Sequence, residues 1–301
     1  MTIQLLCYIF LLITVNFPDV ALAVITTSET ASRINIANDR LSFSVSKKTG
    51  WIDNLSLDHQ DLLGTKAHED PTPGGPTGNG NSGYGPYLDC YCVTKGFYTP
   101  GKRATYRLIR GKDSGGVDYA ASIMSDRHPD SGQVMEFYIF LRDTETGLHT
   151  FSRLAYKNAT GPTHQVLQEF RTLFRPNTPL WTHMVTNNYT IAPLPRKENI
   201  KKAEFVQDAT LDLGPWPDDP YVRETNRYFT KYSFADTWMD HAAHGLYGEG
   251  SRTSNGTWGA WMVMWNRETY YGGPLHSDLT VDGIVYDYMG RFPNTQPLEK
   301  V

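Results

Sequence analysis

The chain has 301 residues, enough for one large or two ordinary domains with a sizeable core. Its formal charge of -4 carries no basic run and no acidic tail, which excludes a nucleic-acid footprint. Its 18 tyrosines, 26 glycines and 18 prolines describe an aromatic, turn-rich sequence of the kind that folds as an all-β protein.

Met1 to Ala23 reads as a secretory signal, with an apolar stretch from Leu5 to Val15 and the small-residue site Ala21-Leu22-Ala23. The apolar stretch is short for a membrane span, and no second long apolar run follows. The mature chain is therefore expected to be secreted, extracellular and soluble, with no membrane partner. Of the three cysteines, Cys7 falls in the signal, leaving Cys90 and Cys92. Two residues apart on a strand, they are poorly placed to bridge each other, and they are too few for a metal site. Two buried thiols, or pairing with a group outside this chain, remain the readings. Sequons begin at Asn54, Asn158, Asn188 and Asn255, as in a secreted glycoprotein.

Ile34 to Leu63 alternates apolar and polar residues as a β-meander, with turns at Asn38-Asp39 and Thr49-Gly50. Residues 71–86 form a long Gly, Pro and Asn loop. Its Gly78, Gly80 and Gly83 match a dinucleotide-binding spacing, but neither a preceding strand nor a following helix pattern supports that reading. Strands are expected at 106–109, 119–124, 134–141, 148–156 and 166–174, separated by turn residues. Without long helical patterns between them they argue for a large sandwich. Residues 176–220 read as irregular, with one amphipathic segment near 204–213. A short helix is expected at 235–244, stopped by Gly245 or Gly248, followed by strands at 258–265 and 279–289.

Lys231 stands among Tyr228, Phe229, Tyr232 and Phe234. If the cluster folds inward, desolvation lowers the lysine's pKa and makes it a base near neutral pH. Otherwise its stem covers aromatic surface while its ammonium stays in water. Arg171 and Arg175 are four apart, on one face of a strand, and suit a carboxylate clamp as well as ordinary surface ion pairing. His276 follows a Gly-Pro turn that can present it to a cleft or simply hydrogen-bond the loop. Tyr286 and Tyr288 share a strand face and suit either a sugar platform or core packing. Asp236, Asp240, His241 and His244 crowd one segment, yet lack a recognised metal spacing, so neither a metal nor another cofactor is expected.

Together, the stretches Gly85 to Cys92, Leu167 to Pro176, Tyr228 to Tyr247 and Tyr270 to Tyr288 resemble the secreted rhamnogalacturonan lyases of polysaccharide lyase family 4. The resemblance spans Ser28 to Met289. It implies a large, distorted β-sandwich of the galactose-mutarotase-like type with a few short helices, running over residues 24–289 after the signal at 1–23. It also implies rhamnogalacturonan I as the partner, cleaved by β-elimination within its rhamnose–galacturonate backbone, by a chain expected to be a monomer.

By the same resemblance, Lys231 is the catalytic base or charge-neutralising group. Arg171 and Arg175 lie near the galacturonate, Tyr286 and Tyr288 contact substrate, and His276 belongs to a cleft-side loop. The family's catalytic histidine lies a few residues beyond the paired tyrosines. By ungapped register its place falls at Pro293, and no histidine follows His276. Residues 290–301 therefore read as a divergent tail, and the chain as a truncated catalytic domain of impaired activity, without the family's fibronectin-III-like and carbohydrate-binding-like domains. The competing reading is a secreted carbohydrate-binding or mutarotase-like sandwich without lyase chemistry.

Overall fold

The structure, a computed structural model, describes residues 25–64, 84–93, 96–101, 103–129, 132–156, 169–176, 178–185, 189, 191–200, 202–207, 210–230, 243–248, 256–263 and 285–288. The chain opens with an antiparallel meander of β1 (Thr26–Glu29), β2 (Arg33–Ala37), β3 (Leu41–Ser46), β4 (Ile52–Leu57) and β5 (Gln60–Asp61), paired in that order. Its alternation is the one the sequence predicts. Ile34, Ile36, Leu41, Phe43 and Val45 are at most 3% exposed, and the residues between them face outward. The turn between β3 and β4 uses Gly50 at φ 78°, a conformation that costs little only without a Cβ.

After β6 (Tyr84–Val93) and β7 (Gly96–Tyr98) comes a second meander of β8 (Thr105–Lys112), β9 (Asp118–Arg127), β10 (Gln133–Arg142) and β11 (Leu148–Tyr156). The inner row of β10, Met135, Phe137, Ile139 and Leu141, joins the inner row of the first sheet in one hydrophobic core. This is face-to-face sheet packing, and the fold is all-β as expected. Asn38 couples the two sheets at one end: its side-chain amide donates to the carbonyls of Arg142 (3.1 Å) and Glu145 (2.7 Å). Arg142 also pairs with Asp113 and Glu145 there.

The third sheet takes β12 (Glu169–Arg175) and orders it between β6 and a late strand, β20 (Val285–Tyr288), as β20-β12-β6-β7. Leu88 and Phe174 turn its inner face to the core, and Phe174 meets the buried Trp181 edge-on at 6.4 Å. The Trp181 indole N–H donates to the carbonyl of Leu62 at 3.1 Å, fastening this region to the end of the first meander.

The segment that reads as irregular contains regular pieces too short for periodicity to reveal. These are β13 (His183–Val185), β14 (Ile191–Pro193), the single helical turn α1 (Lys197–Ile200), β15 (Glu204–Gln207) and β16 (Thr210–Asp212). The amphipathic stretch near 204–213 is thus the β15–β16 pair. It is joined by β17 (Tyr228–Thr230) after the turn of helix α2 (Pro220–Glu224). Residue 244, expected to end a helix, instead begins β18 (His244–Gly248), which pairs with β13 and β19 (Trp258–Met262); residues 235–242 of that expected helix lie outside the described residues. Gly245 permits the β18–β19 approach, since a Cβ there would lie 1.9 Å from the Ala260 carbonyl oxygen. Of the loop expected at 71–86, residues 71–83 lie outside the described residues, whereas 84–86 form the start of β6.

Candidate active site

Four of the six expected site residues converge on the third sheet. Arg171 in β12 is the register partner of Asp89 in β6 on one side and of Tyr288 in β20 on the other. Two positions along, Leu173 sits between Tyr87 and Tyr286. Arg175 lies opposite Tyr84, beyond a one-residue shift in the pairing. Alternation assigns positions 171, 173 and 175 to one face of the sheet, and cross-strand register assigns 286 and 288 to the same face.

The floor of this array is fixed by packing. Tyr87 and Leu173 are each 1% exposed, and the Tyr87 ring lies 5.2 Å from that of the buried Trp51. The opposite face of the sheet holds Leu88, Thr172 and Phe174, all buried, so β12 has little freedom to slide or rotate. The sequence therefore places two guanidinium-bearing residues and two phenols on a rigid strand pair rather than on a loop. Arginine is the residue type suited to forked hydrogen bonding of a carboxylate, and tyrosine can lay an apolar ring and a polar tip against a sugar.

Lys231 and His276 lie outside the described residues, as do Asp236, Asp240 and His241. The strand leading into Lys231 is described, and it is firmly held. In β17, Phe229 is 1% exposed while its neighbour Tyr228 is 45% exposed, so these two rings face core and solvent respectively. Phe229 packs edge-on against Tyr221 at 4.8 Å, and the Tyr221 hydroxyl donates to the Tyr228 carbonyl at 3.1 Å.

Tyr221 is itself positioned by Asp219, which is fully buried. The Asp219 carboxylate caps α2 by accepting from the backbone N–H groups of Tyr221 (2.9 Å) and Val222 (3.3 Å). It also accepts from the Arg196 backbone (2.9 Å) and the Asn199 side chain (2.7 Å). A carboxylate with four donors thus ties the start of α2 to residues 196–199 and, through Tyr221, to β17. Asp219 is not among the residues expected at the site, although Asp-Pro at 219–220 is a recognisable helix start.

A second sheet adjoins this one: β18 and β19 come within 8 Å of β20, measured between Cα atoms. It carries His183 and Tyr247, register partners whose rings stack at 4.8 Å and 8°. The His183 Nδ1 lies 3.0 Å from the Thr182 hydroxyl, which orients the imidazole. No group of residues suited to a metal ion occurs among the described residues.

Residues 180–276, which include Lys231 and His276, match the family model described as "Probable rhamnogalacturonate lyase B middle domain". Over 268 residues the chain is 50% identical to the probable rhamnogalacturonate lyase B of Aspergillus niger, covering 89% of this chain and 36% of that protein. The chain is similar to rhamnogalacturonate lyases over most of its length. It is also 49% identical over 271 residues to rhamnogalacturonate lyase B of Emericella nidulans, covering 90% of this chain and 39% of that protein. A probable rhamnogalacturonate lyase C of Aspergillus oryzae is 48% identical over 270 residues, 89% of this chain and 37% of that protein. The chain thus spans less than two fifths of the length of these relatives. The lyase resemblance read from the motifs is borne out by these similarities.

Of the sequons, Asn54 falls among the described residues, in β4 opposite Ser44. It ends a row of small polar groups along the outer face of the first sheet, in which Ser44 donates to Asn35 (2.6 Å) and Asn35 to Ser28 (2.9 Å). The sequon asparagines 158, 188 and 255 lie outside the described residues.

Proposed function

We propose that this chain supplies a rhamnogalacturonan lyase site, cleaving the rhamnose–galacturonate backbone of pectin by β-elimination. The observation that carries this reading is the row Asp89–Arg171–Tyr288, with Arg175 and Tyr286 on neighbouring rows of the same sheet. In the reaction a base removes the C5 proton of galacturonate, the C–H electrons form the C4–C5 double bond, and the C4–O4 bond breaks with its electron pair on the departing oxygen, which takes up a proton. The barrier lies in removing a proton beside an ionised carboxylate. Arg171 and Arg175 offset the negative charge that builds on that carboxylate, and such preorganised groups contribute most where charge develops. Lys231 acts as base or neutralising cation at the end of β17. Tyr286, Tyr288 and His276 bind the sugar.

We place this activity in residues 24–289, in an extracellular, glycosylated protein. The apolar Leu5–Val15 stretch, the Ala21-Leu22-Ala23 site and the four sequons support that placement.

The test is ultraviolet absorbance of unsaturated product after incubation with rhamnogalacturonan I. Product is expected from the chain, or from a longer form that carries a histidine beyond Tyr288, and is expected to form far more slowly in Arg171→Ala. No product from either form overturns the proposal.

A further inference from the structure

The outward face of the second meander is unlike the rest of the surface. Register assigns to it Tyr138 and Phe140 of β10, Phe151 of β11 and Tyr119 of β9. Tyr138 and Phe151 are cross-strand partners whose rings stack at 4.1 Å and 11°. Phe140 lies nearly parallel to Phe151 at 5.7 Å, and Tyr119 meets Phe140 edge-on at 5.7 Å. Phe151 is nonetheless 50% exposed. A ring bound so closely on one side and still half in water is held rigidly at a surface, with little entropy left to lose on binding.

The same face carries several arginines in a chain that is acidic overall. By register its strand positions hold Arg107, Arg127, Arg142 and Arg153; Arg142 is paired with Asp113 and Glu145, and Arg153 with Glu136. Glu136 is engaged by Arg153 at 3.0 Å and by the Tyr138 hydroxyl at 2.9 Å. Arg107, exposed on β8, has no ion-pair partner among the described residues, and it is the register neighbour of Ile123, which in turn faces Tyr138. The platform therefore combines a fixed aromatic surface with an available guanidinium beside it.

We infer that this face is a second carbohydrate-binding surface, separate from the arginine row of β12, that takes a polymer of acidic sugars. Phe151 and Tyr138 offer apolar surface to the C–H faces of the sugar rings. Arg107 binds a uronate carboxylate through a forked pair of hydrogen bonds. Charge complementarity selects the occupant: a neutral polysaccharide uses the rings alone, whereas a polyuronate uses the rings and the cation. The surface rests on the reading of the chain as a protein of acidic polysaccharides, and on no step of the elimination.

The experiment is affinity electrophoresis of the chain through gels containing polygalacturonate, rhamnogalacturonan I or neutral galactan. The two acidic polymers are expected to retard the chain more than galactan does, and rising salt to weaken that retardation. Phe151→Ala and Arg107→Ala are each expected to weaken it about tenfold, the scale of losing one anchoring residue at an interface. Phe205→Ala, at an exposed ring on β15, leaves it unchanged. Phe151 and Arg107 are surface residues, and matched thermal melts verify that both variants fold. Equal retardation of both variants and the parent overturns the inference, as does its loss only in Arg171→Ala. A concentration-dependent dimer abolished by Phe151→Ala assigns the face to a second copy and also overturns it. If no unsaturated product forms but retardation follows Phe151 and Arg107, the lyase proposal fails and this one stands.

Discussion

Arg171 is held in register between Asp89 and Tyr288, in the middle strand of a sheet whose two faces are both packed. In the proposed lyase site, that register fixes the strand position from which the guanidinium would meet the uronate carboxylate. Arg171→Ala is expected to lower the rate of unsaturated-product formation by about 10²–10³-fold, the range for loss of one preorganised charge-stabilising group. Arg171→Lys is expected to recover little, because an ammonium lacks the planar fork. Initial rates on rhamnogalacturonan I, followed in the ultraviolet, check both.

Lys231 follows directly on a strand anchored by Phe229. Lys231→Ala is expected to reduce turnover by about 10²–10⁴-fold, as for removal of a general acid or base. The thermal melt should stay within a degree or two of the parent. Activity equal to the parent would point to the binding-only sandwich.

Asp219 is fully buried and accepts four hydrogen bonds. Asp219→Ala leaves those donors without their acceptor and removes a helix cap, at a cost of roughly 3 kcal/mol in folding stability. Asp219→Asn keeps one acceptor oxygen and is expected to cost less. Urea unfolding midpoints of the two variants give the order. Lyase activity should fall with stability here, because the same carboxylate supports the strand before Lys231.

Gly245→Ala is expected to destabilise the chain by roughly 2 kcal/mol or more, since the new methyl meets a backbone oxygen rather than a side chain that can turn away. The β18–β19 pairing must open to admit it. Hydrogen exchange of the amides of residues 258–262 reads this out directly, and exchange equal to the parent's would contradict it.

Burial works to raise the Glu136 pKa, but the hydrogen bonds from Arg153 and Tyr138 outweigh it, and the carboxyl ends below its ordinary value of 4.5. A carboxyl whose folded pKa is depressed contributes stability that is present above the unfolded value. That contribution is lost as pH falls below 4.5 and through the lowered folded value. Stability of the parent should therefore decline more steeply than that of Glu136→Gln as pH falls below 4.5. Chemical unfolding across that range distinguishes the two slopes.

The long strands were legible because their side chains alternate between a core and a solvated face, as Leu41, Phe43 and Val45 do. The pieces between 183 and 212 were not, because strands of three or four residues are too short for alternation to stand out. The site divides in the same way. Arg171 and Arg175 could be paired from their spacing on one strand, and Tyr286 with Tyr288 likewise. That these two pairs meet is a matter of register between strands more than a hundred positions apart, which spacing along the chain does not encode. Asp219 was hidden for a different reason: an aspartate before a proline announces a helix start, but nothing local tells that Arg196 and Asn199 return to the same carboxylate.

The Asn38 amide closes contacts with carbonyls 104 and 107 positions further along the chain. On the ribosome, which releases the chain from its N-terminus, the first meander can pair its strands from neighbouring residues alone. Its apolar face must then wait, uncovered, until the hairpin of β9 and β10 has emerged. Over that interval the nascent chain exposes Ile34, Ile36, Phe43 and Val45 together, a surface that invites premature association. The Asn38 bonds themselves can close only once residue 145 has been added, more than a hundred residues after Asn38.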